Sequence, residues 1–248
     1  MNDENEFAPR LDMIETEWTM FRHAHETGVT GTEAKSTLVL RYATAIRSYV
    51  KAMTRSDTDA DELSQDVIVR LLKGDFAGAD PDRGRFRDLL KVAVKNMTRN
   101  HWSKENRRKG VDYDLSLEGG SDTTQEIDDQ WSESWRDNVL DIVWARLQSQ
   151  QDAKPGTILF SALRLRTDHP EADSTRLAEL ISQEHDREIN AATYRQNLRR
   201  ARVRFAEFVA EEVANGLDEP NPQRIQEELI SIGLFEHIKD VLPENWSQ

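Results

Sequence analysis

Between Gly84 and Lys109 the apolar residues Phe86, Leu89, Leu90, Ala93, Val94 and Met97 recur at three- and four-residue spacing. That spacing commits the segment to an amphipathic helix with one face in a core. Arg87, Lys91, Lys95 and Arg99 follow at four-residue steps on another face, and the row runs down to Trp102. Cations beside an aromatic ring suit a polyanion with exposed flat bases, meaning single-stranded or melting nucleic acid. An amphipathic helix with a merely solvated basic side has the same spacing, so neighbouring segments must decide.

Helical periodicity governs those neighbours too. Val39, Tyr42, Ile46, Tyr49, Val50 and Met53 predict a helix over about 37–54. After Ser56-Asp57-Thr58, Asp59 with Glu62 three residues on reads as a capping-box-like start for a helix to Lys73. Its apolar face is Ala60, Leu63, Val67, Leu71 and Leu72; its outer face shows Asp61, Glu62, Gln65 and Asp66. Glu62 and Asp66 repel mildly at i,i+4. An acidic patch of this kind suits a basic partner surface, and it equally suits plain solvation. The segment 74–85, with three glycines and a proline, reads as a loop.

The chain has 248 residues and only 37% hydrophobic content, which fits two small domains better than one large core. It has no cysteine, so disulfides, thiolate catalysis and cysteine-bound zinc are excluded and a reducing compartment is allowed. No apolar run nears the ~18 residues that span a bilayer. The acidic start MNDENEF is unlike a signal peptide. A soluble cytoplasmic protein is expected. Residues 1–35 read as a peripheral extension with a stripe at Ile14, Trp18 and Phe21, punctuated by Gly28 and Gly31. His23, His25 and Glu26 do not make a metal site, because histidines two apart on a helix diverge. With no glycine-rich phosphate loop and no nucleophile–base pair, neither an enzyme nor a cofactor is expected.

A net charge of −13 opposes nucleic-acid binding, but the charge is unevenly placed. From Val111 to Trp135 there are eight acidic residues and no Lys or Arg, and this stretch reads as a flexible linker to about Ser134. Between Arg195 and Arg204 there are five arginines and no acid. Local fields decide DNA contacts.

Beyond the linker, Trp135, Val139, Val143 and Leu147 begin a second helical unit. Pro155-Gly156 is expected to open a helix that Asp168-His169-Pro170 stops. Ser174 is expected to cap the next, and Asn190 a fourth in which Tyr194, Leu198, Ala201 and Phe205 face inward. Arg195, Arg199 and Arg202 share the opposite side, with Gln196 and Asn197 nearby. A helix, a connection and an Arg/Gln/Asn-bearing helix form the helix-turn-helix arrangement, in which the second helix enters the major groove. Arginine reads guanine edges bidentately, and Gln or Asn reads adenine. In residues 209–248, Asn221-Pro222 starts a helix with Ile225, Leu229 and Ile232, and Gly233 can stop it.

In this order, DADELSQDVIVRLL (59–72) and GRFRDLLKVAVKNMTRNHW (84–102) resemble the core of extracytoplasmic-function (ECF) sigma factors of bacterial RNA polymerase. TYRQNLRRARVRF (193–205) is similar to the promoter-reading helix of their last domain. ADPDRGRFR and TEWTMF (16–21) resemble variants from planctomycete-type bacteria. The resemblance implies an all-α chain: an N-terminal extension (1–35), sigma domain 2 (36–110), an acidic linker (111–134), sigma domain 4 (135–208) and a C-terminal helical extension (209–248).

It also implies a division of labour. Asp61, Glu62, Gln65 and Asp66 would dock on the clamp helices of the polymerase largest subunit, and the flap would be a further contact. Arg87, Lys91, Lys95, Asn96, Arg99, Asn100, His101 and Trp102 would recognise and melt the −10 element. Thr193, Arg195, Gln196, Asn197, Arg199 and Arg200 would read the −35 element. The linker would thread toward the polymerase active-site and RNA-exit region, and the protein would work at the nucleoid. An anti-sigma factor or the C-terminal extension itself would be the regulator. The sequence departs from the family at Asn100 and Ser103, where an acidic residue and an arginine are common. Two other readings fit parts of the chain: a polymerase-independent helix-turn-helix regulator, and a helical adaptor without a nucleic-acid role.

Overall fold

A computed structural model describes residues 24, 29–73, 75, 85–109, 121–217 and 220–242. The N-terminal stripe, the His23–Glu26 group, most of the 74–85 loop and residues 111–120 lie outside these. Among the described residues the fold is all-helical, with nine helices and no strand. They are α1 (Val29–Thr54), α2 (Asp57–Lys73), α3 (Phe86–Lys109), α4 (Ser121–Asp152), α5 (Leu159–Asp168), α6 (Ser174–Glu184), α7 (Ala191–Asn215), α8 (Pro222–Ser231) and α9 (Phe235–Ile238).

The stripes read from the sequence are largely the faces that the fold buries, with Leu38 in place of Val39 on α1. Leu38, Tyr42, Ile46, Tyr49, Val50 and Met53 of α1 meet Leu63, Val67 and Leu71 of α2 and Phe86, Leu90, Val94 and Met97 of α3 in one core. At the α1–α2 corner Arg55 adopts a left-handed φ of 55°, and its N–H donates to the Lys51 carbonyl at 2.8 Å. Ser56, not Asp59, caps α2: the Asp59 N–H donates to Ser56 Oγ at 3.3 Å. A serine hydroxyl in the half-helical position satisfies a donor that has no carbonyl partner within the helix.

Three expectations are corrected. First, residues 29–35 belong to α1 and Ala34 is buried, so the core enters what was read as a peripheral extension. Second, residues 121–134 are no flexible linker but the first turns of α4, whose 32 residues make a rod of about 48 Å. Trp131 packs edge-on against Tyr49 with ring centroids 4.8 Å apart, and Trp135 stacks on Tyr42 at 5.2 Å. Aromatic pairs contribute about 0.5–1.5 kcal/mol beyond the area they bury. Two tryptophans four residues apart are an anchoring stripe that the surrounding acids disguise. Third, the expected boundaries at 134/135 and 208/209 fall inside α4 and α7, which are both continuous.

The second half of α7 explains why the chain after 208 is no loose tail. Every residue from Ala206 to Ala214 is buried. With Val143 and Leu147 of α4 and Ile225, Leu229 and Ile238 of α8–α9, these residues extend the α1–α3 core. Asn221 caps α8 by accepting from Arg224 N–H at 3.0 Å, Pro222 follows it, and Gly233 ends the helix at a φ of 72° that favours glycine.

A second, smaller core holds α5, α6 and the start of α7 together: Ile158, Ala162, Leu177, Ala178, Ile181, Ile189, Tyr194 and Leu198. Here too the caps differ by a residue. Asp173, not Ser174, caps α6 by accepting from Arg176 N–H at 2.8 Å, and Asn190 caps α7 as expected. Pro155-Gly156 forms a turn before α5 rather than its first residues, with Gly156 at φ 89°.

Candidate nucleic-acid interface

Four-residue steps on a helix advance about 40° each beyond a full turn, so Arg87, Lys91, Lys95 and Arg99 sweep through about 120°. The four cations therefore do not share one environment. Arg87 is only 4% exposed, and this is a correction: its guanidinium meets the Glu228 carboxylate at 2.5 Å and donates to Ser231 Oγ at 2.8 Å. Burial pulls its pKa down, against the pull of Glu228. Arg85 joins the same carboxylate and also pairs with Asp88 at 2.8 Å. Lys91 and Lys95 sit at the edge of the buried arc, with Nζ atoms 3.0 and 3.9 Å from Asp128 Oδ1 of α4. Arg99 is exposed.

The open surface of α3 among the described residues is thus Val92, Asn96, Arg99, Asn100, Lys104, Arg107 and Arg108. Val92, an exposed apolar residue inside this polar row, carried no signal in the sequence. His101 is half-buried, and so is Trp102, which packs against the main core.

On α2 the acidic face separates likewise. Asp61 accepts from Arg47 Nε at 2.6 Å across the α1–α2 corner. Glu62, Gln65 and Asp66 are exposed, and the exposed Val69 lies one turn beyond them. The result is a small apolar spot edged by carboxylates.

On α7 the buried Tyr194 hydroxyl donates to the Ala162 carbonyl at 3.0 Å, which fixes the helix onto α5. Arg195, Gln196, Arg199 and Arg200 point away from that anchor and are exposed. Thr193 is exposed at the first turn, where its N–H donates to Asn190 Oδ1 at 2.8 Å. Asn197 is half-buried and its Nδ2 donates back to the Thr193 carbonyl at 2.9 Å, so in this conformation its amide serves the helix. The connection from α6 occupies 185–190 and is held by Ser182 Oγ, which accepts from Ile189 N–H at 3.0 Å. That bond fixes a connection longer than a compact helix-turn-helix has.

At the junction of α4, α5 and α6, Ser161 Oγ donates to Glu184 at 2.8 Å and accepts from Gln151 Nε2 at 2.9 Å, and His185 Nε2 lies 2.9 Å away. The hydroxyl is buried and both the histidine and the carboxylate converge on it. It is a three-helix tie rather than a nucleophile with a base behind it.

Sequence reasoning also missed four carboxylates of the C-terminal third. Glu212 meets Arg41, Glu211 meets Arg146 at 2.5 Å, Glu207 meets Arg204 at 2.6 Å, and Glu228 gathers Arg85 and Arg87. Arg146 and Arg204 also lie over the Phe208 ring, 3.9 and 4.4 Å from its centroid. Acidic residues flanked by apolar ones, as in FVAEEVA, were the available signal.

Among the described residues no group of His, Asp or Glu is arranged to hold a metal ion, and no helix is long and apolar enough to cross a membrane. What these helices define is a protein that presents an acidic, apolar-centred face on α2 and basic or amide-bearing faces on α3 and α7. Residues 38–108, covering α2, α3 and most of α1, match the Sigma-70 region 2 family. No curated protein and no solved structure matches the chain. The region 2 match supports a sigma-factor family member, with a role in transcription initiation alongside RNA polymerase. For the matched segment, the family implies binding to core RNA polymerase and promoter DNA.

Proposed function

We propose that the chain is an ECF-type sigma factor, of the planctomycete-like variety, that directs core polymerase to promoters through two DNA contacts. Glu62, Gln65 and Asp66 dock on the clamp helices of the largest subunit, with Asp61 held beside them by Arg47. Asn96, Arg99, Asn100 and the neighbouring His101 and Trp102 take the −10 element, while Lys91 and Lys95 supply phosphate contacts. Arg195, Gln196, Arg199 and Arg200 enter the major groove at the −35 element from the helix-turn-helix formed by α6 and α7. Opening the duplex costs a few kcal/mol per extruded base, which stacking and pocket contacts offset. Domains 2 and 4 carry these roles, although α4 and α7 run across the borders expected for them.

The observation that carries this reading is a region 2 domain followed, in the same chain, by a separate small core whose capped helix holds exposed Arg195, Arg199 and Arg200. A polymerase-independent regulator has no use for the first half. Run-off transcription from a promoter library, with core polymerase and with or without this protein, tests it. Protein-dependent start sites sharing two sequence elements are expected, and failure to bind core polymerase sinks the reading.

A further inference from the structure

Asp128 occupies the place on Lys91 and Lys95 that a phosphate would take. Its Oδ1 lies 3.0 Å from one ammonium and 3.9 Å from the other, and the two lysine side chains are left only 24% and 26% exposed. It stands in a stretch with eight acids and no Lys or Arg from Val111 to Trp135, so this part of the chain carries the charge pattern of a polyanion.

The seam beneath it is also unlike a permanent core. The Tyr42 hydroxyl, the Trp131 indole N–H and the Ser134 hydroxyl are buried there without a hydrogen-bond partner among the described residues. The Tyr49 hydroxyl faces Asp128, and burial, with the charge of that carboxylate added, raises its pKa. Buried donors without partners weaken a contact relative to its apolar area, and each regains water when the contact opens.

We propose that the first turns of α4, from Ser121 to Ser134, are an intramolecular competitor for nucleic acid. Closed, they pack on α1 and neutralise Lys91 and Lys95 at the edge of α3. Nucleic acid displaces Asp128 and the segment peels from α1 and α3. The remainder of α4, anchored through Val139, Val143 and Leu147, stays in place. The free protein then binds DNA weakly through α3, because its apparent affinity is reduced by the small open fraction. This rests on the reading of α3 as a DNA face.

The test measures binding of the full-length protein to a fluorescein-labelled single-stranded 20-mer by anisotropy, alongside hydrogen exchange of residues 121–135. Trp131→Ala leaves the charge unchanged and removes the main anchor, and an affinity gain of about 10-fold or more is expected. Asp128→Asn removes the partly exposed ion pairs and is expected to gain about 2- to 5-fold, covering the case in which Trp131→Ala folds poorly. Glu133→Gln, an equal charge change at an exposed position of the same helix, controls for net charge and is expected to gain less. Faster exchange in 121–135 accompanies the first two variants and appears in the wild type on adding the 20-mer. Unchanged affinity with unchanged exchange overturns the proposal, as does an equal gain from Glu133→Gln. If exchange accelerates in the variants while no form binds the 20-mer, the seam opens but the competitor role is lost together with the DNA reading of α3. A gain in DNA affinity without binding to core polymerase supports the competitor and refutes the sigma-factor reading.

Discussion

Replacing Trp131 by alanine separates a packed α4 from a flexible acidic linker. The side chain is 1% exposed, edge-on to Tyr49 at 4.8 Å and tilted against Trp135 at 5.9 Å. Truncating a buried tryptophan to alanine costs about 3–5 kcal/mol. The indole N–H has no hydrogen-bond partner among the described residues, so its removal returns part of an unpaired-donor penalty of about 1–3 kcal/mol. A net loss of about 2–4 kcal/mol follows. With a urea m-value of about 2–3 kcal/mol/M, the unfolding midpoint by far-UV circular dichroism falls by roughly 1–2 M. Surface substitutions stay within about 0.5 kcal/mol. A midpoint shift under about 0.2 M would refute the argument and return residues 121–134 to the status of an unpacked linker.

Other outcomes follow from the same geometry. Arg195→Ala with Arg199→Ala weakens binding to duplex DNA and lowers the log–log salt slope by about 2 if both contact phosphate; titrations at several salt concentrations read it. Glu62→Lys with Asp66→Lys lowers affinity for core polymerase about 10-fold or more while the melting temperature moves by no more than about 2 °C, as measured by pull-down and thermal scan. Ser161→Ala unties Gln151, Glu184 and His185 and costs about 1–3 kcal/mol, read by urea unfolding. For Glu212, burial raises the carboxyl pKa against the opposing pull of Arg41. The folded form therefore holds the proton more tightly than the unfolded chain. This group's stabilising share is present below the unfolded pKa and is lost as pH rises through the folded one. Glu212→Gln, which has no such titration, gains on the wild type as pH rises above the ordinary glutamate pKa of about 4.3, in paired urea midpoints; the opposite trend overturns the assignment.

Much of the fold was legible because burial obeys helical periodicity. Most of the stripes of α1, α2, α3 and α7 could be read, and so could the Asn190 and Asn221 caps, although Leu38 rather than Val39 enters the core and Leu72 stays at its edge. Several of the failures share one cause, which is that charge was taken as a sign of exposure. Arg87 was grouped with Lys91 and Lys95 because it is basic, yet helical drift carries it inward to Glu228. Trp131 was passed over because acids surround it. Glu211, Glu212 and Glu228 drew no reading at all, and each pairs with an arginine from another helix. Pairing between helices far apart in the chain leaves no local trace in a sequence, whereas a local cap does. The candidate faces of α2 and α7 were legible for the opposite reason: most of their polar residues have no such distant partner and stay outside.

If α3 and α7 each take a DNA element, as proposed, the continuity of α7 sets how those two elements are spaced. Arg200, on the exposed half, and Glu212, held against Arg41 of α1, lie on one unbroken helix about 18 Å apart along its axis. Such a rod works as a ruler. While its far end remains seated, the arginine-bearing tip can be set down at only one separation and one rotational phase from the α1–α3 face. Each base pair inserted between two sites on a duplex adds about 3.4 Å and about a tenth of a turn. A protein built this way tolerates changes within either element better than a single base pair added between them.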